Sequence, residues 1–472
     1  MTSPTPVTLS SSAVTTLVAA LRSVLGDRVS TAAAVREHHS HGESWHAPAE
    51  PDVVVFPETT DELSAIVRIC AEYGAPIVPF GMGSSLEGHV HAVHGGVSID
   101  LTRMTRVLRL SPEDMDVTVQ AGLTHKNLNE HLKNTGLMFM VDPGADATIG
   151  GMAATRASGT TTVRYGTMRD AVLGLTVVLA DGRVIRTGGR ARKSSSGYDL
   201  TRLFVGSEGT LGVIADVTLR LYGRPEAIST AVCGFASMED AANTVIETVQ
   251  LGVQVARIEI IDEAQLAIVN RFSKTAFPEV PTLFFEFHGP SLAVVDEHAR
   301  LVREVAEGHR ATSFRWTASP EERAKLWEAR HGVLHATIAS RPGCKAWPSD
   351  VCVPIAHLAQ CIVETQADLA ASNIVAPLVG HAGDGNFHMT FMVDPNDPAE
   401  IERVGAANHR LVERALGFGG TCSGEHGVGT GKMKYLEQEH GGALEVMRTI
   451  KRALDPNNLM NPGKLVPGVW PD

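Results

Sequence analysis

Apolar positions along the chain recur at two spacings, and the change from one to the other marks its regions. From Ser10 to Leu25 they follow a helical period behind the run Ser10-Ser11-Ser12, which predicts a leading helix. The histidine-rich stretch that follows, His38, His39, His41 and His46, reads as a polar loop. Asp52-Val53-Val54-Val55-Phe56 predicts a strand, and Thr60 stands as N-cap of a predicted helix with apolar residues at Leu63, Ile66, Val67 and Cys70. Ala75 to Phe80 is a second short strand, and strand and helix alternate from about 50 to 225. A fresh pattern begins at 226, with Thr282 to Phe287 as a strand and Pro320 to Leu334 as a charged amphipathic helix, and runs to 440. The tail, 441–472, carries the turn sequence Asn461-Pro462-Gly463-Lys464, late enough for the chain to return to its first domain.

Length changes this picture first, because 472 residues exceed one core and call for at least two domains. A net charge of −12 argues against nucleic acid or anionic lipid as partner. Six scattered cysteines without a Cys-x-x-Cys exclude an iron–sulfur or zinc-ribbon pattern and read as reduced thiols. No segment has the ~18 consecutive apolar residues of a membrane span, and the N-terminus lacks a basic region before an apolar core. A cytoplasmic protein is expected, with a peripheral contact at the inner membrane face left open. Oligomeric state is not legible, and a homodimer is compatible with the sequence.

Glycine is enriched, 45 in 472 against a usual roughly 7%, and the excess is local. Gly81-Met82-Gly83-Ser84-Ser85 follows a predicted strand and offers bare backbone N–H groups to an anion. Leu86 stands where the third glycine of Gly-x-Gly-x-x-Gly belongs, which disfavours a Rossmann loop. Asp142 to Gly151 with Ala157-Ser158-Gly159, and Gly206 to Gly212, are two more such loops. Three within about 130 residues suggest one extended ligand threaded between strands; ordinary turns are the alternative.

Two later phrases carry chemistry: Gly380-His381 to His388, and Cys422-Ser423-Gly424-Glu425-His426-Gly427. Two histidines and a glutamate are a common divalent-cation set, and His426 would stand beside it as a base. Gly427 to Lys432 superficially resembles a phosphate loop, but His426 and Met433 occupy positions where that pattern requires glycine and Ser or Thr.

Pro79 to Gly88, Gly150-Gly151-Met152-Ala153-Ala154, Val163-Arg164-Tyr165-Gly166, Gly206 to Gly212, the two histidine phrases and Asn461 to Lys464 occur in the order of the vanillyl-alcohol-oxidase-type flavoproteins. The chain resembles their D-lactate dehydrogenase (cytochrome) group, near glycolate oxidase and D-2-hydroxyglutarate dehydrogenase, over roughly residues 45 to 466. The resemblance implies an α+β fold: an FAD-binding domain of two subdomains within residues 1–225, a substrate-binding cap with an antiparallel sheet and helices at 226–440, and a C-terminal segment, 441–472, returning to the FAD domain. It implies FAD contacts from Pro79, Gly81, Met82, Gly83, Ser84 and Ser85, from Pro143, Gly144, Thr148, Gly150 and Gly151, and from Ser158, Val163, Glu208, Gly209, Ile214 and Asn461. Some relatives attach FAD covalently through a histidine in this loop; Ser84 or Ser85 occupies that neighbourhood here, so non-covalent FAD is expected, with His89 and His91 close by.

Oxidising a 2-hydroxy acid requires that the hydroxyl proton leave, that the Cα hydride reach flavin N5, and that the carboxylate be held. The resemblance assigns His381, His388 and Glu425 to a divalent metal, Zn²⁺ or Mn²⁺, His426 to the base, and Arg330 and Lys345 to the substrate carboxylate. The hydroxyglutarate enzymes have a threonine one turn after this arginine; Leu334 is there in this chain, and Thr390 stands two places after His388. The first departure favours a short apolar side chain such as that of D-lactate, and the second weakens a direct transfer of the hydroxyglutarate specificity; glycolate, D-2-hydroxyglutarate and longer D-2-hydroxy acids are alternatives. No haem-attachment or cluster motif is written in the chain, so an external acceptor is expected: a cytochrome, a quinone, an electron-transfer flavoprotein or oxygen. From a different class, a flavin-free metal-binding or hydrolytic protein would treat the glycine loops as turns.

Overall fold

The computed structural model describes residues 9–469. The chain forms two compact units, one of residues 1–158, 166–224 and 425–472, the other of 159–165 and 225–424. The return to the first unit therefore begins at Glu425, ahead of the expected 441.

In the first unit, a four-stranded sheet runs in the order Val29–Ser30, Val53–Val55, Val97–Asp100, Ile77–Phe80, the last three strands parallel. Its apolar strands are buried on both faces, as parallel strands demand, by helices Ser11–Leu25 and Thr60–Tyr73 among others. Thr59, not Thr60, caps the second helix, its hydroxyl accepting from Glu62 N–H, so the predicted N-cap moves back one residue. The histidine stretch is no simple loop: His38 ends a helix, and His39 is buried, with Nε2 2.9 Å from Asp100 Oδ2 and its ring against Phe80. A five-stranded antiparallel sheet follows, with Val213–Arg220 at its centre. The tail joins the first sheet through Ile77 N–H to Leu459 O and Asn461 N–H to Ile77 O.

In the second unit an eight-stranded antiparallel sheet runs Ala311–Thr317, Ala227–Phe235, Thr282–Gly289, Arg257–Ile261, Leu378–His381, Asn386–Val393, Lys345–Pro348, with Val351–Cys352 also on Asn386–Val393. Strand Thr282–Gly289 is buried at every position, hence its run of phenylalanines. Ile261, Phe284 and Val379 pack with Trp327, Val333 and Ala336 in one core, so helices Pro320–His331 and Val333–Ser340 lie against that face. The single helix predicted over 320–334 is thus two, divided at Gly332, and Leu334 stands on the second.

One buried cation ties the tail down. Lys451 Nζ donates to Thr210 O, Met460 O and Asp455 Oδ2 at 2.7, 2.7 and 2.5 Å, while Asp455 also accepts from the N–H groups of Leu459 and Met460. Replacing one member of such a pair strands the other in low dielectric. Lys451→Met is expected to cost about 3–5 kcal/mol of stability, read as a lower urea midpoint, with unchanged secondary structure before the transition.

Candidate functional site

In the first unit the glycine loops meet. A Cβ on Gly81 would collide with the Thr148 hydroxyl, and one on Gly209 would lie 2.9 Å from the Pro79 ring. Gly83 has φ +68° and packs edge to ring on Phe80, a conformation and a proximity that only glycine tolerates. Thr148 caps helix Ile149–Thr155, its Oγ1 accepting from Gly151 N–H. Gly150 lies against Ala121. Ser85 Oγ and Ser207 Oγ are buried with no hydrogen-bond partner among the described residues, one in each of two loops. A cradle of small residues with two such hydroxyls could take a phosphate-containing cofactor. Met82 is exposed, Pro143 half-buried and Gly144 exposed, while Ile214 is buried in the core of the five-stranded sheet.

Glu208 is buried, and its carboxylate binds the segment after His426: Oε1 accepts from Val428 N–H at 2.7 Å and Oε2 from Gly429 N–H at 2.8 Å. His89 Nε2 lies 3.3 Å from Oε2. Burial alone would raise the Glu208 pKa, yet His89 and the two amides hold it below the ordinary carboxylate range. Asn461 spends its amide on His89 O, Glu208 O and Lys464 Nζ. Glu208 and Asn461, expected at the cofactor, therefore use their polar atoms on the protein. Burial also opposes ionisation of Glu87, which Lys432, His46 and His426 restore. Glu425 accepts at 2.7 Å from Ser158 Oγ, joining two expected site residues across 267 positions of chain.

In the second unit His381 and His388 stand on adjacent antiparallel strands, ring centroids 5.6 Å apart. His381 Nδ1 donates to Glu259 Oε1 at 2.7 Å, and His388 Nδ1 to Ser349 O at 3.0 Å. Both rings are thereby fixed with Nε2 as the atom for a metal. Arg330 is buried and gives Nε, at 2.8 Å, and Nη2 to Glu259. Lys345 is not brought to the pair. It is exposed at the end of an edge strand and pairs with Val393, five residues from His388 or roughly 17 Å along the strand. Val163, expected at the flavin, belongs to a short helix whose side chain packs on Gly383. Glu286 pairs with His288 and Arg257, a structural ladder.

Ser423 Oγ donates to Asp350 Oδ2 and Gly424 N–H to Asp350 O, while Asn386 Nδ2 donates to Asp350 Oδ1. Asn386 begins the strand that bears His388, and Glu425 is the next residue after Gly424. Sequence reading missed Asp350 and Glu259. The signal for Glu259 was present: one charge within the apolar run Ile258-Glu259-Ile260-Ile261.

Two family models match the chain: "FAD binding domain" over residues 51–188 and "FAD linked oxidases, C-terminal domain" over 224–465. It is 51% identical over 459 residues to a probable mitochondrial D-lactate dehydrogenase of Danio rerio, covering 96% of this chain and 92% of that one. The chain belongs to the FAD-linked D-lactate dehydrogenase family. It is 48% identical to the mitochondrial D-lactate dehydrogenase [cytochrome] of Arabidopsis thaliana, covering 96% of this chain and 80% of that one. In fold it is similar to p-cresol methylhydroxylase, with a TM-score of 0.77 at 18% identity, covering 97% of each chain. This member of the family is thus an FAD-dependent oxidoreductase of the vanillyl-alcohol-oxidase type with the expected α+β fold.

A carboxylate whose folded pKa is depressed adds stability above its unfolded pKa, and that stability is lost as pH falls through the folded value. Glu208→Gln also sets an amide NH₂ against a backbone N–H. The variant is expected to be about 1–3 kcal/mol less stable at pH 7, with the gap to wild type closing as pH falls toward 3. Thermal unfolding across that range measures it.

Proposed function

We propose that this enzyme oxidises D-lactate to pyruvate, with His426 as base and a divalent cation, Zn²⁺ or Mn²⁺, at His381, His388 and Glu425. The observation that carries the substrate is the 51% identity, over nearly all of both chains, to a protein named for D-lactate. For the cation, the support is chemical: two imidazoles with Nδ1 committed to acceptors, and a glutamate that directly follows a residue anchored on Asp350. Bound FAD supplies the two-electron acceptor for the Cα hydrogen. The cation would draw charge from the hydroxyl and carboxylate oxygens, favouring loss of the hydroxyl proton.

His426 then takes that proton at its imidazole. Arg330 Nη1 would hold the substrate carboxylate, its guanidinium plane already set by Glu259. Lys345 has no part in this reading, because its strand position keeps it from the histidines. Ser85, Ser207 and the glycines around them would bind FAD without a covalent bond. Electrons would leave to a cytochrome, the acceptor in the name of the Arabidopsis relative. Among the described residues no helix is long and apolar enough to cross a membrane.

Anaerobic stopped-flow with the FAD-replete enzyme tests the substrate: D-lactate bleaches the flavin absorbance, L-lactate does not, and equal bleaching by both would defeat the reading. His426→Ala is expected to slow reduction by about 100- to 10,000-fold while FAD content stays at one per chain. Removing metal with a chelator should slow reduction, and Zn²⁺ or Mn²⁺ should restore it. Full activity after verified metal removal would eliminate the cation.

A further inference from the structure

Glu259 touches no reacting atom in the reaction as set out above, yet it is fully buried, between Ile258 and Ile260 on strand Arg257–Ile261. It sits directly opposite His381 in the antiparallel register, where side chains on one face approach most closely. One oxygen, Oε1, accepts from His381 Nδ1 at 2.7 Å, and the other accepts from Arg330 Nε at 2.8 Å and from Nη2. Arg330 is delivered by a helix that packs on the same face, through Trp327 against Phe284. A lone carboxylate here would be too costly to ionise, and a lone guanidinium likewise, so each stabilises the other and the pair is left with one open valence, directed at the histidine.

We propose that Glu259, held by Arg330, is a positioning residue that fixes the Nδ1–H tautomer and ring plane of His381 and so tunes the affinity of the divalent-cation site. The inference rests on the metal reading above. A carboxylate behind a ligating imidazole makes the ligand more basic and removes its rotational freedom, and loss of such a partner commonly weakens metal binding about 10- to 100-fold.

The test is Zn²⁺ affinity of the FAD-replete enzyme after metal removal, by competition with a chromophoric chelator, with Tm and FAD content measured on the same samples. Wild type should bind one equivalent. Glu259→Gln should bind about 10- to 100-fold more weakly. That variant leaves Arg330 unpaired and lowers stability, so the double variant Glu259→Gln/Arg330→Met is included; its Tm should recover toward wild type while its Zn²⁺ affinity stays low. His388→Ala is the control for the site itself and should lose the ion. Wild-type affinity in the double variant, with His388→Ala impaired, would overturn the positioning role and leave the metal reading intact. Absence of Zn²⁺ and Mn²⁺ binding by wild type would sink both.

Discussion

Buried carboxylates organise this protein, because an anion withdrawn from water must find donors and can find them only if the chain is brought to it. Glu208 is the clearest case. Its two oxygens take the amides of Val428 and Gly429, and its own carbonyl takes the side-chain amide of Asn461, so one residue fixes two segments more than 200 positions away. Glu87 reaches further still along the chain, with its backbone oxygen on Thr430 N–H and its side chain on Lys432 and His46. Asp455 repeats the arrangement in the tail through Lys451. The segment that follows Glu425 and His426 is thereby set by buried anions.

The other unit applies the same rule with a different yield. Glu259 is satisfied by one cation and one imidazole, so part of its hydrogen-bonding capacity is spent on the site. Glu286, on the adjoining strand, is satisfied by Arg257 and His288, and His288 in turn by the Tyr165 hydroxyl. Both ladders hold strands in register. The difference is that one reaches a histidine of the candidate site and the other the Tyr165 hydroxyl.

The glycine loops were legible in the sequence because the alternation of apolar runs and bare turns is a local signal, while the fold class came through the family resemblance that those motifs carry. The buried strands and the leading helix follow their apolar pattern closely. Gly332 was harder to see, since a glycine within a charged helical pattern often passes without a break, and here it divides two helices. The partners of Glu259 and Asp350 could not be read from the sequence, because they lie 122 and 38 positions away and register, not spacing, joins them. Lys345 shows the reverse: a motif position gave it a role, but an edge strand paired at Val393 keeps it at the exposed end. His39 failed as a loop residue for a similar reason, since Asp100, at the end of a buried strand, draws it inside.

The segment Gly427 to Lys432 now has a physical account. It looks like a phosphate loop because it is an anion cradle, and the anion is the protein's own Glu208. A Cβ on Gly427 would lie 2.6 Å from His89 Nε2 and 2.8 Å from Glu208 Oε1, and one on Gly429 would strike Glu87 O. Both glycines also have positive φ, +83° and +49°. The lysine that would face a phosphate in such a loop instead faces Glu87. Glycine is required there for the reason it is required around phosphates, close approach of backbone N–H groups to negative charge. The amides of Val428 and Gly429 are already committed to an internal carboxylate, so neither is open to an external anion.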